Sequence, residues 1–230
     1  MIITIDGPVA TGKSTLAKRL AAAIGYIHYD TGAMYRALTA AIIKNKIDID
    51  NEEQLENFLK TFDFSIKIKH GRRFYYVGDE EVTHKIRQEE VTSQVSRISA
   101  HPKVREALVK LQREQGKGVN AVFEGRDLGT VVFPNADLKI FLTGRPEVRA
   151  KRRFDELKTK YPQECKDLTL EKAMQDLMAR DAYDSTRVTS PLVKAPDAFE
   201  IDTSDSTIDE LIYKILEIKD TRKRGSSSSH

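Results

Sequence analysis

The sequence predicts an α/β protein whose parallel sheet is flanked by helices, and three observations predict it. A short β-branched run, Ile2–Asp6, meets a glycine-rich turn, GPVATGKST at 7–15, and then an amphipathic stretch at 15–24. Short apolar runs alternate with helical patterns along most of the remaining chain, as strand–helix–strand units do. Between 63 and 82 the period falls to two, which predicts a small antiparallel sheet inserted in that alternation.

The turn at 7–15 carries G-x-x-x-x-G-K-S. Gly7 and Gly12 let the backbone curl so that several N–H groups face one concavity, and the helix N-terminus beyond adds positive potential. A strand before the motif and a helix after it are the context that makes it a phosphate-binding loop. Gly7, Pro8, Val9, Ala10, Thr11, Gly12, Lys13, Ser14 and Thr15 are therefore the candidate site for a nucleoside triphosphate such as ATP. Lys13 is expected to reach the terminal phosphates from a solvent-open hollow outside the core, and the Ser14 hydroxyl to ligate Mg2+.

Further along, 26–29 is a short apolar segment ending in Asp30-Thr31-Gly32, and 33–44 and 52–60 have helical patterns. The inserted sheet reads DFSIKIK, RFYYVG and EEV, with turns at His70-Gly71 and Gly78-Asp79. Residues 84–99 and 102–115 read as helices, with Pro102 near the start of the second. AVFEGRD at 121–127 is a buried strand whose end carries Glu124, Arg126 and Asp127. LKIFL at 138–142 and AFEID at 198–202 are further strands, and 146–159, 169–182 and 207–219 are further helices. In such sheets ligands gather beyond the carboxyl ends of the strands. Those ends carry the phosphate loop, Asp30-Thr31, Gly125-Arg126-Asp127 and Thr143-Gly144-Arg145.

The chain has 230 residues, enough for one domain over 1–224, with GSSSSH at 225–230 set aside as a tail. One cysteine, Cys165, can form no internal disulfide and has no zinc-like partner spacing. No apolar run approaches spanning length, and the N-terminus runs straight into a strand, so a cytoplasmic protein that meets no membrane is expected. The net charge of +3 does not by itself imply nucleic-acid binding, and Arg222-Lys223-Arg224 reads as a solvated helix end. No surplus apolar stripe asks for a partner, so a monomer is expected.

Which chemistry the loop serves is decided by the arginines. Transfer of a phosphoryl group between two anionic molecules needs cations that neutralise the charge in flight. Arg36 lies just beyond a strand end, Arg126 lies on one, and Arg180, Asp184 and Arg187 recur at helical spacing. This favours a kinase acting on a second phosphate over an ATP-gated interaction protein. Asn45-Lys46-Ile47-Asp48 spells the guanine-reading N-K-x-D of GTPases, but it follows an early helix instead of ending a late strand, and reads as a helix end and loop.

With these residues in hand, the chain resembles the bacterial cytidylate kinases over almost its whole length. The matching stretches are IDGP…GKST, DTGAMYR at 30–36, HPKVREAL at 101–108, EGRDLGTVVFP at 124–134 and RDAYDSTR at 180–187. The resemblance implies the nucleoside monophosphate kinase fold of phosphate-loop proteins, with an acceptor-binding region at about 31–100, its β insert at about 63–82, and a helical lid at about 150–170. It implies ATP as donor and CMP or dCMP as acceptor. Ser96, Arg105 and Asp127 would lie near the cytosine with Thr31 close by. Arg36, Arg126 and Arg187 would hold the acceptor phosphate, and Arg180 with Asp184 would meet the ribose. Arg149, Arg152 and Arg153 fall where the lid begins. Thr31 replaces the usual serine, and Glu124 stands where aspartate is common. The base choice also has a chemical argument: a carboxylate can accept from the cytosine N4 amino group while Arg105 donates to its acceptors, whereas uracil reverses the pattern. UMP or dTMP is the alternative acceptor.

Overall fold

The computed structural model describes residues 1–70 and 72–227, with side chains as far as Arg222. Gly71, in one predicted turn, and 228–230, in the predicted tail, lie outside the described residues. Two compact units are formed, one from Met1–Tyr29 with Gly118–His230 and the other from Asp30–Lys117.

The first unit holds a five-stranded sheet in the order β2-β6-β1-β7-β8, where β1 is Ile2–Asp6, β2 Ile27–Asp30, β6 Ala121–Gly125, β7 Leu138–Thr143 and β8 Phe199–Asp202. The pairs β1–β6, β1–β7 and β7–β8 are parallel, with Ile5 opposite both Glu124 and Ile140. Alternation along β1 sends Ile3 and Ile5 to one face, where they are fully buried with Val122, Ile140 and Leu142. Leu16 and Leu20 of α1 (Lys13–Ile24) and Leu211 and Ile215 of α8 (Ile208–Ser227) close that face. Thr4 and Asp6 point to the other face, beside Gly129 in a π-helical turn, Leu128–Val132. On the same strand set, Phe123 stacks on Tyr29 and packs against Phe133, each at 4.6 Å between ring centres. α6 (Pro146–Lys160) and α7 (Leu170–Thr186) complete the unit.

The second unit is built on α2 (Thr31–Lys44), α3 (Glu52–Thr61), α4 (Glu89–Ala100) and α5 (Pro102–Gly116). Tyr35, Leu38, Ile42, Leu55, Val95, Ile98, Val104 and Leu108 form its core. Asp30 caps α2 by accepting from the Ala33 N–H at 3.0 Å, and Asn51 caps α3 through Gln54. β3 (Phe64–Lys69), β4 (Arg72–Val77) and β5 (Glu80–Glu81) form the antiparallel sheet that the period-two pattern predicts.

Some boundaries differ from the sequence reading. The helix expected over 84–99 is a 3₁₀ turn, Lys85–Arg87, and then α4, because Gln88 leaves the helical region at ψ 157°. Glu89 and Glu90 then occupy the first turn of α4, where acids are favoured. α7 runs on past 182 to Thr186. The backbone of α8 continues past 219 to Ser227, into the segment set aside as a tail. Arg222 donates to the Asp137 carbonyl at 2.6 Å and lies over the Phe199 ring. Asn45 ends α2 and bonds back to the Ala41 carbonyl, so the N-K-x-D string is a helix end, as read.

Candidate active site

The phosphate loop joins β1 to α1. Gly7 has φ 149°, and a Cβ there would stand 2.4 Å from the Leu142 carbonyl oxygen, so glycine lets the loop lie against β7. Gly12 (φ 83°) caps α1 in the left-handed region, and Ala10 adopts φ 59° despite its Cβ. The loop is tied at Val9 from both sides: its N–H donates to Asp181 Oδ1 at 3.3 Å, and its carbonyl accepts from Arg149 Nε at 2.8 Å. Arg149 and Asp181 also pair with each other.

Lys13 departs from expectation. It is 7% exposed, not solvent-open. Its stem folds along the loop, and the ammonium donates to the Pro8 carbonyl at 2.5 Å, within 3.5 Å of Thr11 Oγ1. Burial, with Arg126 nearby, holds its pKa well below the usual lysine range, against the pull of Glu124 and Asp6. Thr15, the last residue of the predicted loop, is exposed on the first turn of α1.

The Ser14 hydroxyl donates to Glu124 Oε2 at 2.6 Å, and the other oxygen of Glu124 lies 2.9 Å from His28 Nε2. A hydroxyl and a carboxylate beside a phosphate loop are the hard oxygen donors that suit Mg2+, which commonly keeps several waters and takes few protein groups. Among the described residues no group of three or more His, Cys, Asp or Glu is placed to hold a metal.

Asp6, 5% exposed, accepts from the Leu128 and Gly129 N–H groups at 3.0 and 2.8 Å, fixing the turn after β6 to the end of β1. Burial outweighs these bonds and, with Asp127 nearby, raises its pKa to about 6.

A second cluster lies where β6 meets the end of α7. Arg126 Nε donates to Asp184 Oδ2 at 3.0 Å. The Arg187 guanidinium lies 3.9 Å from both Asp127 and Asp184, and its Nε donates to the Ser190 carbonyl at 2.7 Å. Arg180 stands on α7 one turn before Asp184. Arg152 donates to the Thr203 carbonyl at 2.7 Å and Arg153 to Glu156 at 3.0 Å.

In the other unit, Thr31 opens α2 and is buried. Arg36 donates to the Ile86 carbonyl at 3.2 Å and to Thr92 Oγ1 at 2.8 Å. Ser96 lies on α4. Arg105, on α5, donates to the Ser99 carbonyl at 3.1 Å and lies over the Tyr35 ring at 5.3 Å. Sequence reasoning missed His28 and Asp181. His28 is a polar residue within a short apolar strand, which is the signal that marks it; Asp181 lies inside RDAYDSTR, where nothing local distinguishes it from Asp184.

No helix among the described residues is long and apolar enough to cross a membrane. The family model described as cytidylate kinase matches residues 3–221. A protein named cytidylate kinase from Protochlamydia amoebophila is 63% identical over 97% of this chain and 98% of its own length. A second of that name, from Caldicellulosiruptor bescii, is 45% identical over 94% of each. The shikimate kinase structure from Bacteroides thetaiotaomicron superposes with a TM-score of 0.50 at 12% identity, covering 95% of this chain and 97% of that one, a likeness of fold alone. A match that runs from β1 into α8 takes in the phosphate loop, Glu124 and the Arg126–Asp184–Arg187 cluster alike, and the chain belongs to the cytidylate kinase family.

Proposed function

We propose that the protein transfers the γ-phosphoryl group of ATP to CMP, and to dCMP, giving ADP and CDP or dCDP in pyrimidine nucleotide metabolism. The reading is carried by one observation: a phosphate loop and a charged cluster of Arg126, Arg187, Asp127 and Asp184 in a chain of this family. An acceptor phosphate oxygen attacks the γ-phosphorus in line while the bond to the β,γ-bridging oxygen breaks. No covalent intermediate forms, and the ionised acceptor needs no general base.

The loop N–H groups and Lys13 take the donor phosphates. Ser14, with Glu124 behind it, would hold Mg2+, which would supply positive charge against the donor phosphates. Arg126 and Arg187, with Arg36, take the acceptor phosphate and the charge that spreads over the transferring oxygens. Arg180 and Asp184 meet the ribose, while Thr31, Ser96, Arg105 and Asp127 serve the cytosine. The protein acts as a cytoplasmic monomer on small molecules, without nucleic acid, in keeping with its small net charge.

The test supplies ATP and magnesium with a panel of nucleoside monophosphates and follows ADP. CMP should exceed UMP in kcat/KM, and Asp127→Asn should lower CMP efficiency and narrow the gap, since a paired contact to one base gives about 5- to 150-fold discrimination. Preference for UMP or dTMP would replace the acceptor, and no turnover with any acceptor despite tight ATP binding would favour a switch. An unchanged CMP/UMP ratio in the variant would leave Asp127 as a structural partner of Arg187.

A further inference from the structure

The Ser14–Glu124 contact has a third member that the reaction as described does not use. His28 is on β2, next to β6 in the sheet, and that adjacency sets its ring beside the side chain of Glu124. The two side chains are 5% and 4% exposed. Nε2 of His28 lies 2.9 Å from Oε1 of Glu124, while Oε2 accepts the Ser14 hydroxyl at 2.6 Å. Each carboxylate oxygen thus has its own partner, one in the sheet and one at the start of α1.

We infer that His28 is a positioning residue for the magnesium end of the site, an inference that rests on the function proposed above. Its Nε2–H donates to Oε1, fixes the rotation of the carboxylate, and so aims Oε2 at Ser14. Glutamate has one more rotatable bond than aspartate, so the carboxylate of Glu124 can swing unless something holds its far oxygen. Buried away from water, it has no solvent to do so. His28 supplies that hold, and the hydroxyl that takes the ion is kept with its proton on Glu124 and its lone pairs outward. Groups placed behind a metal ligand in this way orient it and tune its grip on the ion.

The experiment compares wild type, His28→Leu and His28→Gln by calorimetry with ATP, in magnesium and in EDTA, alongside turnover of CMP. In His28→Leu the gain in ATP affinity conferred by magnesium should fall about 10- to 100-fold, the usual loss when such a supporting group is removed. Affinity in EDTA should stay at the wild-type value. The Gln amide reaches the Nε2 position and should restore the magnesium response. An unaltered magnesium response in His28→Leu, equal losses in magnesium and in EDTA, or Gln no better than Leu would overturn the inference. Should the Leu variant not fold, nitrogen-15 histidine NMR of the wild type decides: a protected Nε2–H that shifts in Glu124→Gln supports the contact, and its absence overturns it. A wild type that binds ATP but does not phosphorylate CMP would overturn the proposed function instead, and leave the His28 signal to be judged on its own.

Discussion

Charge is buried in two different ways at the carboxyl ends of the central sheet. At the phosphate loop, one ammonium, Lys13, rests on a backbone carbonyl, and desolvation dominates its behaviour. At the end of α7, Arg126 and Arg187 stand among two carboxylates, Asp184 and Asp127, at 3.0 to 3.9 Å. A lysine ammonium is compact, strongly hydrated and readily deprotonated when buried, whereas a guanidinium stays charged and binds in a planar fork. The loop therefore carries a cation held against its own preference for water and ready for an anion. The cluster carries cations already matched by acids, so a deletion there acts on stability as well as on chemistry and both must be read.

The largest expected effect lies at the loop. Lys13→Ala should cost about 1000-fold in turnover, the upper end for one preorganised electrostatic group. Because a desolvated charge is removed, thermal stability should hold or rise. A melting point that falls by several degrees would show Lys13 to be a structural cation like those of the cluster, and the contrast would break.

Asp6 provides the next test, a buried acid whose environment opposes its charge. Its folded pKa of about 6 exceeds the ordinary aspartate value of 3.8 expected of the unfolded chain, so the folded state holds the proton more tightly. The stabilisation is fully present below the lower value and is lost as pH rises through the upper. Across that window wild type should lose about 3 kcal/mol relative to Asp6→Asn, as the shift implies. Denaturant titrations of both proteins at several pH values check this, and parallel curves would mean that Asp6 does not titrate there.

The smaller effect is at the cluster. Asp184→Ala leaves two guanidinium groups short of a carboxylate and should cost about 2 kcal/mol, below the usual penalty for breaking a buried pair because Arg126 is 22% exposed. The KM for CMP should rise while ATP affinity holds. Loss of stability with no change in KM would make Asp184 a brace and not a ribose ligand.

What the sequence made legible follows the range of the interactions. The phosphate loop and the inserted sheet could be read because their signals lie within a few residues: the spacing of Gly7, Gly12 and Lys13, and the alternation of Phe64, Ile66 and Ile68 with Ser65, Lys67 and Lys69. The break at Gln88 could not, because its flanks keep a helical pattern on both sides. The burial of Lys13 was misread, since the groups that enclose and perturb it, Glu124, Arg126 and Arg149, are far away in the chain. Helical spacing relates Arg180, Asp184 and Arg187 to one another but could not name Arg126, 58 residues away, as the partner of Asp184. His28 meets Glu124 only through the order β2-β6, which no local pattern specifies.

The tie at Val9 shows how a contact can be recorded away from where it acts. Both of its bonds use main-chain atoms, so the identity of side chain 9 carries no instruction for them, and substitution there leaves the grip intact. Proline is the exception, because it would delete the N–H. The instruction is spelled instead by Arg149 on α6 and Asp181 on α7, which reach the loop and each other. A change of side chain at position 9 other than to proline would leave these two bonds in place, while a drift at 149 or 181 would loosen a loop to which neither belongs.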